Sequence, residues 1–200
     1  MDKLLILNGS PRSLRSNSQK FIEMMAPHLG CEWEECFLFT QNHREICDKV
    51  KEYSDILFVF PLYVDSLPCC VLEFLDCLCQ NLPASRPTVH LMINCGFLET
   101  EQNSIAIKTL QFFCKKYGFP FGSCLSIGSG EAILTPPFDM LFKLNLKKLA
   151  KSIKNSAPLT LSIALPISKE RFVAESEKFW LRAGEKNGIT KEQMQSPNIE

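Results

Sequence analysis

Residues 55–60, Asp-Ile-Leu-Phe-Val-Phe, contain no polar side chain after the first. A strand with one wet face alternates polar and apolar residues. This run must be covered on both faces, which places it inside a parallel sheet. Other apolar runs of strand length recur along the chain at Lys3–Asn8, Glu32–Phe39, Pro87–Asn94 and Phe121–Ile127. Segments of helical period lie between them: Ser18–Leu29, Arg44–Tyr53, a stretch opened by Pro68 that carries Val71, Leu72, Leu75 and Leu78, Glu101–Tyr117 and Phe138–Lys154. Parallel neighbours need crossover connections, so five strand–helix pairs predict an α/β fold in which a five-stranded parallel sheet has helices on both sides. That domain spans residues 1–155. A C-terminal extension, 156–200, follows with an alternating segment at Pro158–Pro166 and a helical one at Ser168–Asn187. The extension is expected to pack on the core or on a partner subunit, with its last residues, Gln195–Glu200, frayed.

The longest apolar run, Ile56–Val64, is nine residues, well short of the ~20 that cross a bilayer. The opening MDKLLILNG is too short for a secretory signal, so a cytoplasmic protein without membrane contact is expected. Lys and Arg number 22, as do Asp and Glu, and a balanced surface gives no field to draw nucleic acid. The ten cysteines show no C-x-x-C spacing. No metal site is therefore expected, and Cys69, Cys70 and Cys77 sit among apolar neighbours as small hydrophobes. Of the three histidines, His28 closes a helix, His43 opens one and His90 lies within a strand. All three read as structural or surface residues.

Ligands of open parallel sheets bind where strands end. After the first strand, Ser10–Ser18 holds four serines and two arginines. It fits neither the dinucleotide G-x-G-x-x-G pattern nor a Walker loop, because Pro11, Leu14 and Arg15 stand where glycines and lysine belong. Ser16 and Gln19 form an S-x-x-Q capping box, so a helix should start near Asn17 with its free N–H groups suited to an anion. Ser10, Ser16 and Ser18 add hydroxyl donors, and Arg12 or Arg15 can offset a dianion. A terminal phosphate monoester suits these donors. So does a capped helix with a polar turn and no ligand, and the loop alone does not choose. Two further strand ends favour a ligand. Pro61–Pro68 (PLYVDSLP) reads as a short extended segment whose backbone can meet the edge of a flat heterocycle, with Tyr63 beside the ring. Ile93–Asn103 offers Asn94, the small step Cys95–Gly96, and Phe97. Asp65 and Glu99 read as solvated loop carboxylates.

The elements Gly9-Ser10-Pro11-Arg12-x3-Ser16-Asn17-Ser18 and Pro61-Leu62-Tyr63-x2-Ser66-x-Pro68, each after a strand, resemble the flavodoxin-like NAD(P)H-dependent FMN reductases and quinone reductases. The resemblance covers about residues 1–155 and implies the sheet order 2-1-3-4-5. It implies that Ser10, Arg12, Ser16, Asn17 and Ser18 hold the FMN phosphate. Pro61, Leu62, Tyr63 and Val64 would meet the ribityl chain and ring, and Cys95, Gly96 and Phe97 would flank the isoalloxazine, with Asn94 beside them at the strand end. It further implies NAD(P)H as hydride donor, a small planar acceptor (quinone, flavin, nitro or azo compound), and a homodimer. No dedicated catalytic side chain is required, with Tyr63 a candidate proton donor. The alternatives are an electron-carrier flavodoxin, disfavoured by the balanced charge, an iron–sulfur flavoprotein, disfavoured by the absence of a cysteine cluster, and a non-catalytic module on the same fold.

Overall fold

The computed structural model describes residues 3–196. They form two compact units, one ending at Leu165 and one starting at Pro166. In the first, six strands form one sheet: β1 (Lys3–Asn8), β2 (Glu32–Phe37), β3 (Asp55–Pro61), β4 (Thr88–Asn94), β5 (Phe121–Ile127) and β6 (Thr160–Ile163). The spatial order is β2-β1-β3-β4-β5-β6, with every pairing parallel. The expectation of five strands is corrected here. The alternating segment after residue 158 adds a sixth strand, β6, beside β5, and its exposed–buried pattern reflects its place at the sheet edge.

Helices α2 (His43–Val50), α3 (Cys69–Gln80) and α4 (Ser104–Tyr117) cover one face of the sheet; α1 (Asn17–Met25) and α5 (Phe138–Lys154) cover the other. The side-chain period of a strand sorts the core between them. Leu5, Leu7, Ile56, Phe58 and Phe60 meet the three-helix face, and the alternate residues Leu4, Ile6, Leu57 and Val59, equally buried, fill the other. There Phe21 of α1 and Phe142 of α5 make an edge-to-face contact at 4.8 Å, a geometry worth about 1 kcal/mol beyond simple burial. Helix α1 stops at Met25, earlier than the periodicity suggests. Pro27 cannot donate the next helical hydrogen bond, and the chain tightens into a 3-10 turn over Ala26–His28. All ten cysteines are free thiols. Burial pushes the Cys114 and Cys124 thiols up to about 12, in keeping with a space-filling role.

Two local constraints tie the sheet together. At the loop-bearing end, a Cβ on Gly9 would lie 2.3 Å from Val71 Cγ2 of α3 and 3.2 Å from Phe60 Cβ. Gly9 therefore lets α3 press against the end of β1. At the opposite end, the backbone N–H of Ser123 donates to His90 Nδ1 at 2.8 Å. The ring proton thus sits on Nε2, which donates to Asp55 Oδ1 at 3.1 Å. Gly122 leaves room for that ring, since a Cβ there would fall 2.4 Å from His90 Cε1. Burial alone would raise the Asp55 carboxyl, but hydrogen bonds from His90 and Ser54 outweigh it and hold its pKa below the ordinary value.

The second unit pairs α6 (Lys169–Lys186) with α7 (Lys191–Gln195). Ser168 caps α6 and Thr190 caps α7 with a full capping box. A Cβ on Gly184 would reach 2.6 Å from Met194 Sδ, so glycine permits the close return of α7. Phe179 and Trp180 make an edge contact at 5.2 Å and stay exposed. Of the tail expected to fray, Gln195 ends α7, and residues 197–200 lie outside the described residues.

Gly9→Ala should lower stability by about 2 kcal/mol through overpacking, read as a lower urea midpoint with unchanged m-value. Asp55→Asn keeps an acceptor for His90 but removes the charge. A carboxyl with a depressed pKa adds stability above its unfolded pKa and loses it as pH falls through the folded one. The variant should therefore be less stable than the wild type at neutral pH. The gap should close below the usual carboxylate range in urea melts run at several pH values.

Candidate functional site

The loops after β1, β3 and β4 leave the same edge of the sheet side by side, because Asn8 is in register with Val59 and Pro61 with Asn94. In the first loop, Ser10 is buried and its N–H donates to Asn8 Oδ1 at 3.0 Å. The chain then makes a 3-10 turn over Ser13–Arg15, entered with Ser13 in the left-handed region at φ 45°. Ser16 caps α1, its Oγ accepting from Gln19 N–H at 3.0 Å and donating to Ser13 O at 2.6 Å. The capping box is only half made, since the Gln19 side chain turns to Glu35 and Glu23 instead of the cap. Asn17 and Ser18 supply the first N–H groups of α1, which have no partner within the helix.

Two hydroxyls in this loop are buried without a partner, Ser13 Oγ and Ser18 Oγ. Buried polar groups are almost always bonded, and a bare hydroxyl costs about 1–3 kcal/mol. Here two of them adjoin the positive end of a helix. Arg12 and Arg15 stand exposed on the same loop, Arg12 lying 4.0 Å from Glu131 across the crevice. At that distance and exposure the pair contributes little, and the guanidinium is free to turn to a stronger anion. This is a donor set that a phosphate monoester would complete.

The second loop departs from the expected extended segment. Tyr63 and Ser66 exchange both backbone hydrogen bonds, at 3.1 and 2.9 Å, around Val64 at φ 46° and Asp65 at φ 55°. Positive φ at both central residues makes this a tight hairpin turn of the type that favours Asn and Gly. A β-branched residue there is strained. The N–H groups of Tyr63 and Ser66 are consumed within the turn and that of Leu62 goes to Asn94 O at 2.7 Å, whereas those of Val64 and Asp65 make no backbone hydrogen bond. Val64 is 96% exposed and Tyr63 41%.

In the third loop, Asn94 is buried at the end of β4, and Gly96 has open space where a Cβ would stand. Phe97 is exposed beside it. Cys95 is turned inward instead: it is buried, and its thiol points to the carbonyls of Phe97 and Glu99 at 3.7 Å. Burial raises its pKa, so it shapes the loop as an inert thiol.

The fold also brings in residues that sequence reasoning passed over. Ser129, after β5, is a third buried hydroxyl without a partner, held at φ 56° by a 2.6 Å bond from its N–H to Phe97 O. Its signal was the flanking pair Gly128 and Gly130, which a Cβ would drive into Leu98 O and Asn94. On the β2 side of the Tyr63 turn lies a cavity of about 810 Å³ lined by residues that include Phe39, His43, Tyr63, Cys69 and Leu72. His43, read as structural, does open α2, but it also borders this cavity. Its Nε2–H donates to Leu38 O at 2.7 Å.

No protein-family model matches the chain, and no curated protein is similar to it in sequence. Solved structures are similar in fold. An FMN-dependent NADH-azoreductase from Bacillus anthracis str. Ames Ancestor, in complex with FMN, is 14% identical over 78% of this chain and 100% of its own, with a TM-score of 0.61. An NADPH-quinone reductase from P. pentosaceus is 17% identical over 75% of this chain and 98% of its own, at 0.59. A flavodoxin from Streptococcus pneumonia TIGR4 is 14% identical over 76% and 99%, at 0.57. The fold is flavodoxin-like.

Val64→Gly removes the strain and no buried contact, so it should raise stability by about 1 kcal/mol, measured by urea unfolding.

Proposed function

We propose that the chain binds FMN and works as an NAD(P)H-dependent oxidoreductase, passing hydride from a nicotinamide to a small planar acceptor such as a quinone, flavin, nitro or azo compound. The observation that carries this reading is the pair of partnerless buried hydroxyls, Ser13 and Ser18, at the start of α1. The fold is shared with an azoreductase solved with FMN and with a quinone reductase, which supports the same reading.

Ser10, Ser13 and Ser18 would hold the phosphate with the first N–H groups of α1, and Arg12, released from Glu131, would balance its charge. Ser16, committed to capping α1, would act by holding that helix start in place. Pro61, Leu62, Tyr63 and Val64 would border the ribityl chain and ring on one side. Asn94, Gly96 and Phe97 would border it on the other, with Cys95 as the buried spacer beneath. When bound, FMN supplies the hydride chemistry, so the protein's task is binding, orientation and access. The open space at Gly96 permits close approach, and the exposed Tyr63, Val64 and Phe97 form an apolar rim that a second copy of the chain would cover in a homodimer.

Purified protein mixed with FMN should keep a yellow chromophore through desalting, bleach with NADH or NADPH under anaerobic conditions, and recover when a quinone is added. Ser18→Ala should weaken FMN about tenfold and leave riboflavin, which lacks the phosphate, unaffected in fluorescence titrations. Equal losses for both ligands would contradict the phosphate assignment.

A further inference from the structure

Beneath the serine loop, Asn8, Gln19 and Glu35 form a closed chain of side-chain hydrogen bonds. Asn8 Nδ2 donates to Glu35 Oε1 at 2.9 Å and to Gln19 Oε1 at 3.2 Å, and Gln19 Nε2 donates to Glu35 Oε2 at 3.3 Å. The chain reaches both ends of the loop. Asn8 Oδ1 accepts the Ser10 N–H at 3.0 Å, and the backbone of Gln19 is the one that Ser16 caps.

A primary amide can present either end, its oxygen or its NH2. Glu35 removes that choice for Asn8, and together with Glu23, whose Oε1 accepts from Gln19 Nε2 at 3.3 Å, for Gln19, because both oxygens of an ionised carboxylate only accept. Each must face an NH2 group, and Asn8 is then left with its Oδ1 toward Ser10. An amide at position 35 would set one donor against another, and a protonated acid would turn one of the two pure acceptors into a hydroxyl that must itself donate. Turning Asn8 to relieve the clash would point NH2 at the Ser10 N–H. Turning Gln19 would instead oppose its NH2 to that of Asn8. Either way the loop loses a tether.

Charge does not explain a carboxylate in this place. Glu35 lies under a loop suited to anions. The charged side chain facing it from α1 is Glu23, β1 presents the Asn8 amide, and Glu34 with its partner Lys49 belongs to the opposite face of β2. Burial raises the Glu35 pKa, and the two amides offset only part of that rise.

We propose that Glu35 is a positioning residue of the phosphate loop: its ionised carboxylate sets the direction of the Asn8 and Gln19 amides, which hold Ser10 and the start of α1 in the phosphate-binding arrangement. The functional consequence rests on the FMN reading; the loop arrangement stands on its own geometry.

The experiment has two arms. In the ligand-free protein, the Ser10 backbone amide and the Asn8 and Gln19 side-chain amides should shift together in an NMR pH titration. Their midpoint should lie above the ordinary glutamate value of about 4.3, and the transition should be absent in Glu35→Gln. In the second arm, Glu35→Gln should weaken FMN about tenfold at neutral pH, with riboflavin unchanged, and should lack the part of the acid-side loss of FMN affinity that Glu35 causes in the wild type. A purely electrostatic carboxylate has the opposite sign, since removing a negative charge below the phosphate would tighten FMN. Tighter or unchanged FMN binding, or a Ser10 amide that does not titrate, overturns the proposal. Should Glu35→Gln fail to fold, the wild-type titration decides alone. If the amides titrate together but the wild type binds no FMN, the positioning of the loop holds and the cofactor reading falls.

Discussion

Everything functional in this chain depends on the sheet being parallel and covered on both faces. A strand such as β3, apolar on each side, can be satisfied only between two helical layers, and parallel crossovers deliver every strand end to one edge. The loops after β1, β3, β4 and β5 therefore meet without any residue in them having to specify the meeting. The opposite edge carries the His90–Asp55 pair and the glycine that accommodates it. That buried pair and the candidate site thus lie at opposite ends of the same strands.

At the loop edge the backbone departs from its preferred conformations. Ser13, Val64, Asp65 and Ser129 all hold positive φ, and two of the four also bury a hydroxyl with no partner. Each departure costs free energy that a stable fold has no need to spend. Their concentration in three neighbouring loops has a physical sense if something bound there supplies the missing partners.

The parts of this arrangement that were legible from sequence are those written in short-range chemistry. The unbroken apolar run of β3 requires two covered faces, and Ser16 followed by Gln19 marks the start of α1. Other features depend on what folds beside them. Asp65 suits a turn but Val64, β-branched, argues against one, so the Tyr63 hairpin is imposed by the anchoring of its flanks and read from sequence as an extended segment. Gln19 abandons the capping box because its Oε1 accepts from Asn8 instead, while the Ser16 N–H it would have taken goes to Ser13 O. The segment at 160–163 showed an edge-strand pattern, but only a free edge on β5 makes it the sixth member of the sheet. Cys95 was expected at the site as a spacer; the structure turns its thiol inward, toward the carbonyls of Phe97 and Glu99.

The central claim is that the hydroxyls at the start of α1 are partnerless because a phosphate completes them. A crystal structure determined in the presence of FMN tests this most directly. The account predicts phosphate oxygens within hydrogen-bonding distance of Ser13 and Ser18, with Arg12 turned away from Glu131. A structure in which that pocket holds no phosphate and those hydroxyls bond to the protein's own carbonyls would contradict it.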